Sequence, residues 1–180
     1  MSLDALMNSL PVSARDLKTN YSQLVQNNHE LTPQQLWGTV VASAIATRSE
    51  VLTAAVLDEA PEKLSLPAMD AAQAAAAVMG MTNIWYRFHH LASNPSYASM
   101  PARLRMSAVH NLGAEEVDFE LWAMAVSAIN GCGKCVDAHE RTARQKGVSE
   151  EVVAATVRVA AVVHALGVMV DQLSAHAASA

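Results

Sequence analysis

Apolar residues recur at three- and four-residue steps along almost the whole chain, and no stretch alternates apolar and polar side chains as a half-buried strand does. A period near 3.6 residues gathers apolar side chains on one face of a helix. The chain is therefore predicted to be all-α. Its 180 residues fit a single domain, and 52% hydrophobic residues are enough to fill the core between closely packed helices.

Capping residues and helix breakers divide this periodic pattern into separate helices. Thr32 offers an N-cap, Pro33 suits the first helical position, and Gln35 completes a capping box. Gly80 is a point where the long helix predicted over about 68–90 could be disturbed, and Gly147 is a natural residue just past a helix end. The predicted helices cover about 33–47, 50–59, 68–90, 101–111, 115–129, 132–146 and a last segment that begins near 150.

The chain is similar to itself when it is shifted by 85 positions, which places 35–37 (Gln-Leu-Trp) on 120–122 (Glu-Leu-Trp). We interpret this as a duplicated helical unit within one domain, with a degenerate copy at about 33–91 and a second copy at about 115–175. Chance similarity between alanine-rich helices is the alternative. The reactive residues described below occur only in the second copy, where the first copy has Thr47, Glu50 and Ala54.

Charge and hydropathy narrow the range of functions. A net charge of −5 with scattered basic residues does not favour a nucleic-acid partner. Segment 1–15 lacks the pattern of a secretory signal, so a cytoplasmic location is expected. The segment 152–170 is long enough to cross a membrane, but Arg158 and His164 interrupt it, which favours a buried or interface helix. The low charged fraction, 16%, indicates apolar surface hidden in an oligomer.

The only two cysteines, Cys132 and Cys135, stand three positions apart, and His139 follows one helical turn later. Two thiols at this spacing can close and reopen a small disulfide, which indicates a redox dithiol. A closed zinc site would need four ligands, and covalent haem attachment would need histidine where Val136 stands. Inert buried thiols are disfavoured because the neighbouring residues are polar.

Helix geometry gives the two cysteines different surroundings. Cys132 is expected in the first helical turn, where free backbone N–H groups and the nearby Lys134 favour a thiolate. His139 lies four residues after Cys135 and could accept its proton. Glu120 lies in an apolar part of the preceding helix, so it could orient His139, or it could simply face solvent.

Other polar or sulfur-containing residues carry weaker signals. Met79 and Met81, beside Trp85, are interpreted as packing residues rather than as part of a cofactor site. His164, on an apolar helix, is interpreted as a hydrogen-bonded core residue. No cofactor-binding or metal-binding residues are predicted.

The run 120–132, followed by Cys135 and the Ala-His-Glu of 138–140, resembles the alkylhydroperoxidase D proteins of the carboxymuconolactone decarboxylase-like superfamily. Segments 35–38 and 78–83 resemble the first half of the same proteins. The resemblance implies an all-helical homotrimer with peroxidase activity toward organic hydroperoxides. It further implies a partner peroxiredoxin of the AhpC type, and electrons drawn from the dihydrolipoyl group of a lipoylated 2-oxoacid dehydrogenase component.

By the same resemblance, Cys135 would be oxidised to a sulfenic acid, and Cys132 would supply a proton and then close the disulfide or pair with the peroxiredoxin. His139 and Glu120 would form the proton relay that makes Cys135 a thiolate. Many of these proteins have histidine just before the second cysteine, where this chain has Lys134. A proton-transfer role at that position is therefore not carried over, although a cation is kept.

Three other functions remain as alternatives to this lipoyl-dependent thiol oxidoreductase. One is the decarboxylase chemistry after which the superfamily is named, which needs no redox thiols. Another is an interaction protein whose assembly is switched by the disulfide without any turnover. The last is a metal-binding module.

Overall fold

A computed structural model describes residues 2–106 and 113–178, with side chains described as far as residue 175. These residues contain eight α-helices and no strand, which confirms the all-α prediction. In chain order the helices are α1 Leu3–Ser9, α2 Arg15–Tyr21, α3 Pro33–Thr47, α4 Glu50–Glu59, α5 Leu66–Leu91, α6 Glu116–Ile129, α7 Gly133–Gln145 and α8 Glu150–Ala178. Single turns of 3₁₀ helix cover Val12–Ala14, Ala60–Glu62 and Pro95–Ser99, and a π-helical turn covers Ser22–Gln26.

Helices α3 and α6 form the centre of the molecule, and each packs against α5, α8 and the other. Trp122 of α6 is fully buried, and its Nε1 donates a hydrogen bond to the Gln35 carbonyl oxygen at 3.2 Å. Gly38 permits this close approach, because a Cβ atom there would lie 2.1 Å from the Trp122 ring. The contact fixes α6, which carries Glu120, against the core.

The predicted caps are present where the sequence places them. Thr32 and Gln35 form the capping box of α3, the Ser49 side chain accepts from the Leu52 amide at the start of α4, and Gly147 has φ +89° just after α7. The helix order of α3 to α5 is repeated in α6 to α8, with a long third helix in each set. The duplication remains a prediction, and this order supports it.

Several boundary predictions need correction. Helix α5, predicted over 68–90, begins at Leu66, where Ser65 caps it, and it continues through Gly80 without a break. Residues 101–106 are not helical, so the prediction of a helix over 101–111 is wrong for that part, and 107–112 lie outside the described residues. Helices α1 and α2 have no counterpart in the sequence prediction, and they pack against α4 and α8 respectively.

Helix α8 is long and apolar enough over Glu150–Ala175 to cross a membrane by length and composition alone. It packs against α3 and α6, with Val163 and Leu166 buried in the shared core. This packing is that of a core helix in a globular protein. The interpretation of His164 as a core residue is wrong, because its side chain faces outward and is exposed.

Candidate active site

The two cysteines lie where α6 turns into α7. Gly131 adopts φ +68°, a left-handed conformation that glycine reaches without steric cost, and the chain then enters α7 at Gly133. Cys132 therefore occupies the N-cap position rather than the first helical turn. A disulfide joins Cys132 to Cys135, with their Cα atoms 5.3 Å apart. The predicted pair is thus close enough to form and break a bond within one helical turn.

Glu120 of α6 and His139 of α7 form a hydrogen-bonded pair, with Glu120 Oε2 2.7 Å from His139 Nδ1. Their side chains are 15% and 18% exposed, so the pair is largely shielded from water. Glu120 does not simply face solvent, which was one of the two interpretations of the sequence. An ionised carboxylate can only accept, so Nδ1–H donates and the opposite nitrogen, Nε2, is left for other partners.

A cavity of about 390 Å³ opens beside this pair, and its wall is mainly apolar. Cys135 and His139 both face it, whereas Cys132 does not and is fully buried. The remaining lining residues come mostly from α5 and α7: Met79, Thr82, Tyr86, Met106, Lys134 and Ala138. Of the two cysteines, Cys135 is therefore the one in contact with the cavity.

Lys134 borders the same cavity and keeps a positive charge near the dithiol. Its Nζ lies 5.1 Å from the centre of the Tyr86 ring, a cation–π distance. A second cavity, of about 450 Å³, is also lined by Lys134, together with Arg87, His90 and Asp137. Lys134 therefore contributes to the walls of both cavities.

A buried polar network behind the dithiol was not predicted from the sequence. Asn130 donates to Asn83 Oδ1 at 3.0 Å, Asn83 donates to Ser127 Oγ at 3.0 Å, and Arg87 donates to the Asn130 carbonyl oxygen. Asn83 and Ser127 are almost wholly buried. Polar side chains that are buried in a core are almost always hydrogen-bonded. The asparagine at position 83, within an alanine-rich helix, was therefore the sequence signal that could have predicted this network.

The interpretation of Met79 as a packing residue is incomplete. Its thioether sulfur lies 3.2 Å from His139 Nε2 and 3.5 Å from Ser127 Oγ, and so joins the network to the histidine. Met81, by contrast, does not line the cavity. Two methionines of similar appearance in the sequence therefore have different surroundings.

Comparison with known proteins adds evidence from outside the site. The model of the carboxymuconolactone decarboxylase family matches residues 95–178. Proteins named alkyl hydroperoxide reductase AhpD match nearly the whole chain. That of Acidobacterium capsulatum is 60% identical over 98% of this chain and 96% of its own length. The protein of Koribacter versatilis is 54% identical over 95% of this chain and 88% of its own length. The protein of a Methylobacterium species is 52% identical over 98% of this chain and 100% of its own length.

Proposed function

Since this chain belongs to the alkyl hydroperoxide reductase AhpD family and is an oxidoreductase, we propose that Cys132 and Cys135 are its redox pair and that a dihydrolipoyl group reduces them. The observation that carries the proposal is the disulfide itself, with Cys135 facing an apolar cavity beside the His139–Glu120 pair. The substrates are organic hydroperoxides, whose apolar groups match the cavity wall.

In the peroxidase step the Cys135 thiolate attacks the outer oxygen of the hydroperoxide, and the O–O bond breaks. The alkoxide leaves as an alcohol after taking a proton, and Cys135 becomes a sulfenic acid. The Cys132 thiol then attacks the Cys135 sulfur, so that the disulfide forms and water leaves. Two electrons pass from the two thiols to the hydroperoxide.

His139 and Glu120 are the proton relay in this proposal. The carboxylate holds the Nδ1 side of the ring, which leaves Nε2 on the cavity side to take a proton from Cys135 or return one to the alkoxide. General acid–base catalysis of this kind accelerates a reaction by about 10²–10⁴-fold. Lys134 adds a cation that favours the thiolate without serving as a proton carrier.

Reduction of the disulfide completes the cycle. A lipoylated component of a 2-oxoacid dehydrogenase supplies the dithiol, and a peroxiredoxin of the AhpC type accepts electrons through a mixed disulfide with Cys132. Cys132 is fully buried, so this exchange requires the first turn of α7 to open. With these partners, the proposed location of the protein is the cytoplasm.

The proposed assembly is a homotrimer. Its support is a set of exposed apolar side chains on one face of α5, four and three residues apart, which we call the α5 patch: Ile84, Phe88 and Leu91. Ile84 is 58% exposed and Leu91 76%. Contiguous exposed apolar surface of this kind is typical of a protein interface.

The proposal is tested by supplying NADH, lipoamide dehydrogenase, lipoamide and cumene hydroperoxide, and following NADH loss with wild type and Cys135→Ser. We expect rapid loss with wild type and none above background with the variant. Omitting lipoamide should stop the wild-type reaction. Equal NADH loss with the variant would remove the dithiol from the mechanism, and loss without lipoamide would remove the lipoyl donor.

A further inference from the structure

The sulfur of Met79 is surrounded by polar groups although Met79 is only 6% exposed. His139 Nε2 lies 3.2 Å from Sδ, Ser127 Oγ 3.5 Å, Thr82 Oγ1 3.6 Å and Asn83 Nδ2 3.7 Å. The Thr82 hydroxyl gives its proton to the Val78 carbonyl oxygen at 2.9 Å, whereas the other three groups can donate to the thioether sulfur, which is a weak acceptor. The methionine therefore acts as an acceptor at the centre of the site.

The contact with His139 restricts where the ring proton can be. Glu120 accepts from Nδ1–H, so in a neutral ring Nε2 would carry no proton. The lone pair of Nε2 would then point toward the lone pairs of the Met79 sulfur. A protonated Nε2 would instead donate to the sulfur at 3.2 Å, within the normal distance for a hydrogen bond to sulfur. The second arrangement satisfies both ring nitrogens in a site that is shielded from water.

We propose that Met79 is a positioning residue that holds a proton on His139 Nε2 while the disulfide is closed. When the thiolate of a dithiol donor attacks Cys132, a new S–S bond forms and the Cys132–Cys135 bond breaks, with its electron pair left on Cys135. Nε2–H then turns from Met79 to the Cys135 thiolate and stabilises it. The donor's second thiol then loses its proton, and the resulting thiolate attacks the donor sulfur that is bonded to Cys132. Cys132 leaves, takes up that proton and becomes a thiol, and the donor leaves as its own disulfide.

Few titratable side chains lie near His139 in the described part of the chain. With the disulfide closed, the titratable side chains that contact it or line its cavity are Glu120 from α6, Tyr86 from α5 and Lys134 from α7. Of these three, Glu120 is the one that is hydrogen-bonded to the ring. Among the described residues, Met79 is the group on α5 whose contact with Nε2 is a hydrogen-bond distance.

Three variants separate an acceptor from a packing residue. Met79→Leu keeps the volume and removes the acceptor, Met79→Gln keeps the length and supplies an amide oxygen, and Met81→Leu is the matched control on the same helix. The protonation of both His139 nitrogens is read from ¹⁵N spectra of the oxidised proteins at neutral pH. The rate and pH profile of disulfide reduction by dithiothreitol are measured in parallel.

We expect a protonated Nε2 in oxidised wild type, Met81→Leu and Met79→Gln, and a bare Nε2 in Met79→Leu. Reduction of Met79→Leu should be about tenfold slower with an altered pH profile, since the Cys135 thiolate loses a ready donor, and Met79→Gln should recover most of the rate. A packing role predicts the reverse order, with leucine tolerated and glutamine harmful.

A bare Nε2 in the wild type, or a Met79→Leu variant that matches Met81→Leu in both readouts, would overturn the inference. The wild-type spectrum decides the matter even where a variant does not fold. The inference rests on the proposed dithiol chemistry, but neither readout uses a hydroperoxide or a lipoyl group. Failure of the NADH assay would therefore leave these measurements intact.

Discussion

At the scale of single residues, the site separates two cysteines that look alike in the sequence. Cys135 faces the cavity and shares it with His139, while Cys132 is sealed beneath the first turn of α7. A molecule in the cavity would lie beside Cys135, and Cys132 is bonded to Cys135 across the start of α7. This arrangement suits one sulfur for peroxide attack and the other for resolution.

Replacing Glu120 by glutamine tests the relay. Glutamine keeps the shape and can still accept from Nδ1, but it lacks the charge that stabilises a protonated ring. We expect kcat/KM for cumene hydroperoxide to fall by about tenfold to a hundredfold, near the low end of the range for acid–base catalysis. Steady-state kinetics with a saturating lipoyl donor measure this, with thermal unfolding as a check on folding.

Glu140→Gln is the matched control for that variant. Glu140 follows His139 directly, yet its side chain is 42% exposed and lies 3.9 Å from Arg144 on the same helix. Its loss should change kcat/KM by less than about twofold, since exposed pairs contribute little. Equal effects of the two substitutions would count against a relay through Glu120.

Sequence spacing was enough to pair His139 with Cys135 on one helix, since residues four apart share a face. It was also enough to single out Glu120, because a carboxylate among apolar residues needs a partner. The role of Met79 was out of reach, because the distance from Met79 to His139 depends on how α5 packs against α7. No pattern within either helix contains that information.

At the scale of helices, the site depends on how closely α6 approaches α3. The Trp122 ring lies over Gly38, and the same helix carries Glu120 to His139 and Asn130 to the start of α7. A shift of α6 would therefore displace the carboxylate and the turn before Cys132 together.

Alanine substitutions at two helical glycines test this packing. Gly38→Ala should destabilise the protein by about 3 kcal/mol, because its Cβ would lie 2.1 Å from the Trp122 ring and the ring would have to move. Gly80→Ala should stabilise it by about 0.5–1 kcal/mol, since no atom lies within 4 Å of the new Cβ and alanine favours the helix. Urea unfolding midpoints measure both changes.

Similar midpoints for the two variants would mean that α3 and α6 are further apart than described. A loss of peroxidase activity in Gly80→Ala, despite unchanged or higher stability, would also contradict the account. Gly80 is exposed and lies outside the cavity lining.

The ends of helices were predictable where the local sequence contains a capping residue. The beginnings of α3 and α4 follow from Thr32 and Ser49, whose side chains bond to nearby amides. Helices α1 and α2 were missed because each has only seven residues, too few for a period to emerge. Their stability comes from packing against α4 and α8, which local sequence does not encode.

At the scale of the whole molecule, the core of a single chain buries only part of its apolar side chains. The α5 patch leaves large apolar side chains exposed, and the buried Nε1 of the neighbouring Trp85 has no hydrogen-bond partner among the described residues. Composition indicated apolar surface outside the core, and such surface is exposed on α5, but its burial in an oligomer stays a prediction. Composition alone could not locate that surface. Location required knowing which face of α5 the core leaves uncovered.

Placing a charge in the α5 patch tests the proposed trimer. Ile84→Glu should yield a smaller species by light scattering on a sizing column, because the interface would have to bury an unpaired carboxylate. Val12→Glu is the control, since Val12 is 89% exposed and lies far along the chain from the patch. An unchanged mass for Ile84→Glu would place the interface elsewhere.

The central claim is that two electrons leave through Cys132 and Cys135 for each hydroperoxide reduced. It is tested most directly in a single turnover, by mixing fully reduced protein with one equivalent of cumene hydroperoxide under nitrogen. The account predicts one equivalent of alcohol, loss of both thiols and a Cys132–Cys135 disulfide by mass spectrometry, with a sulfenic acid retained at Cys135 in Cys132→Ser. Alcohol formed while both thiols remain, or formed equally by Cys135→Ser, would contradict it.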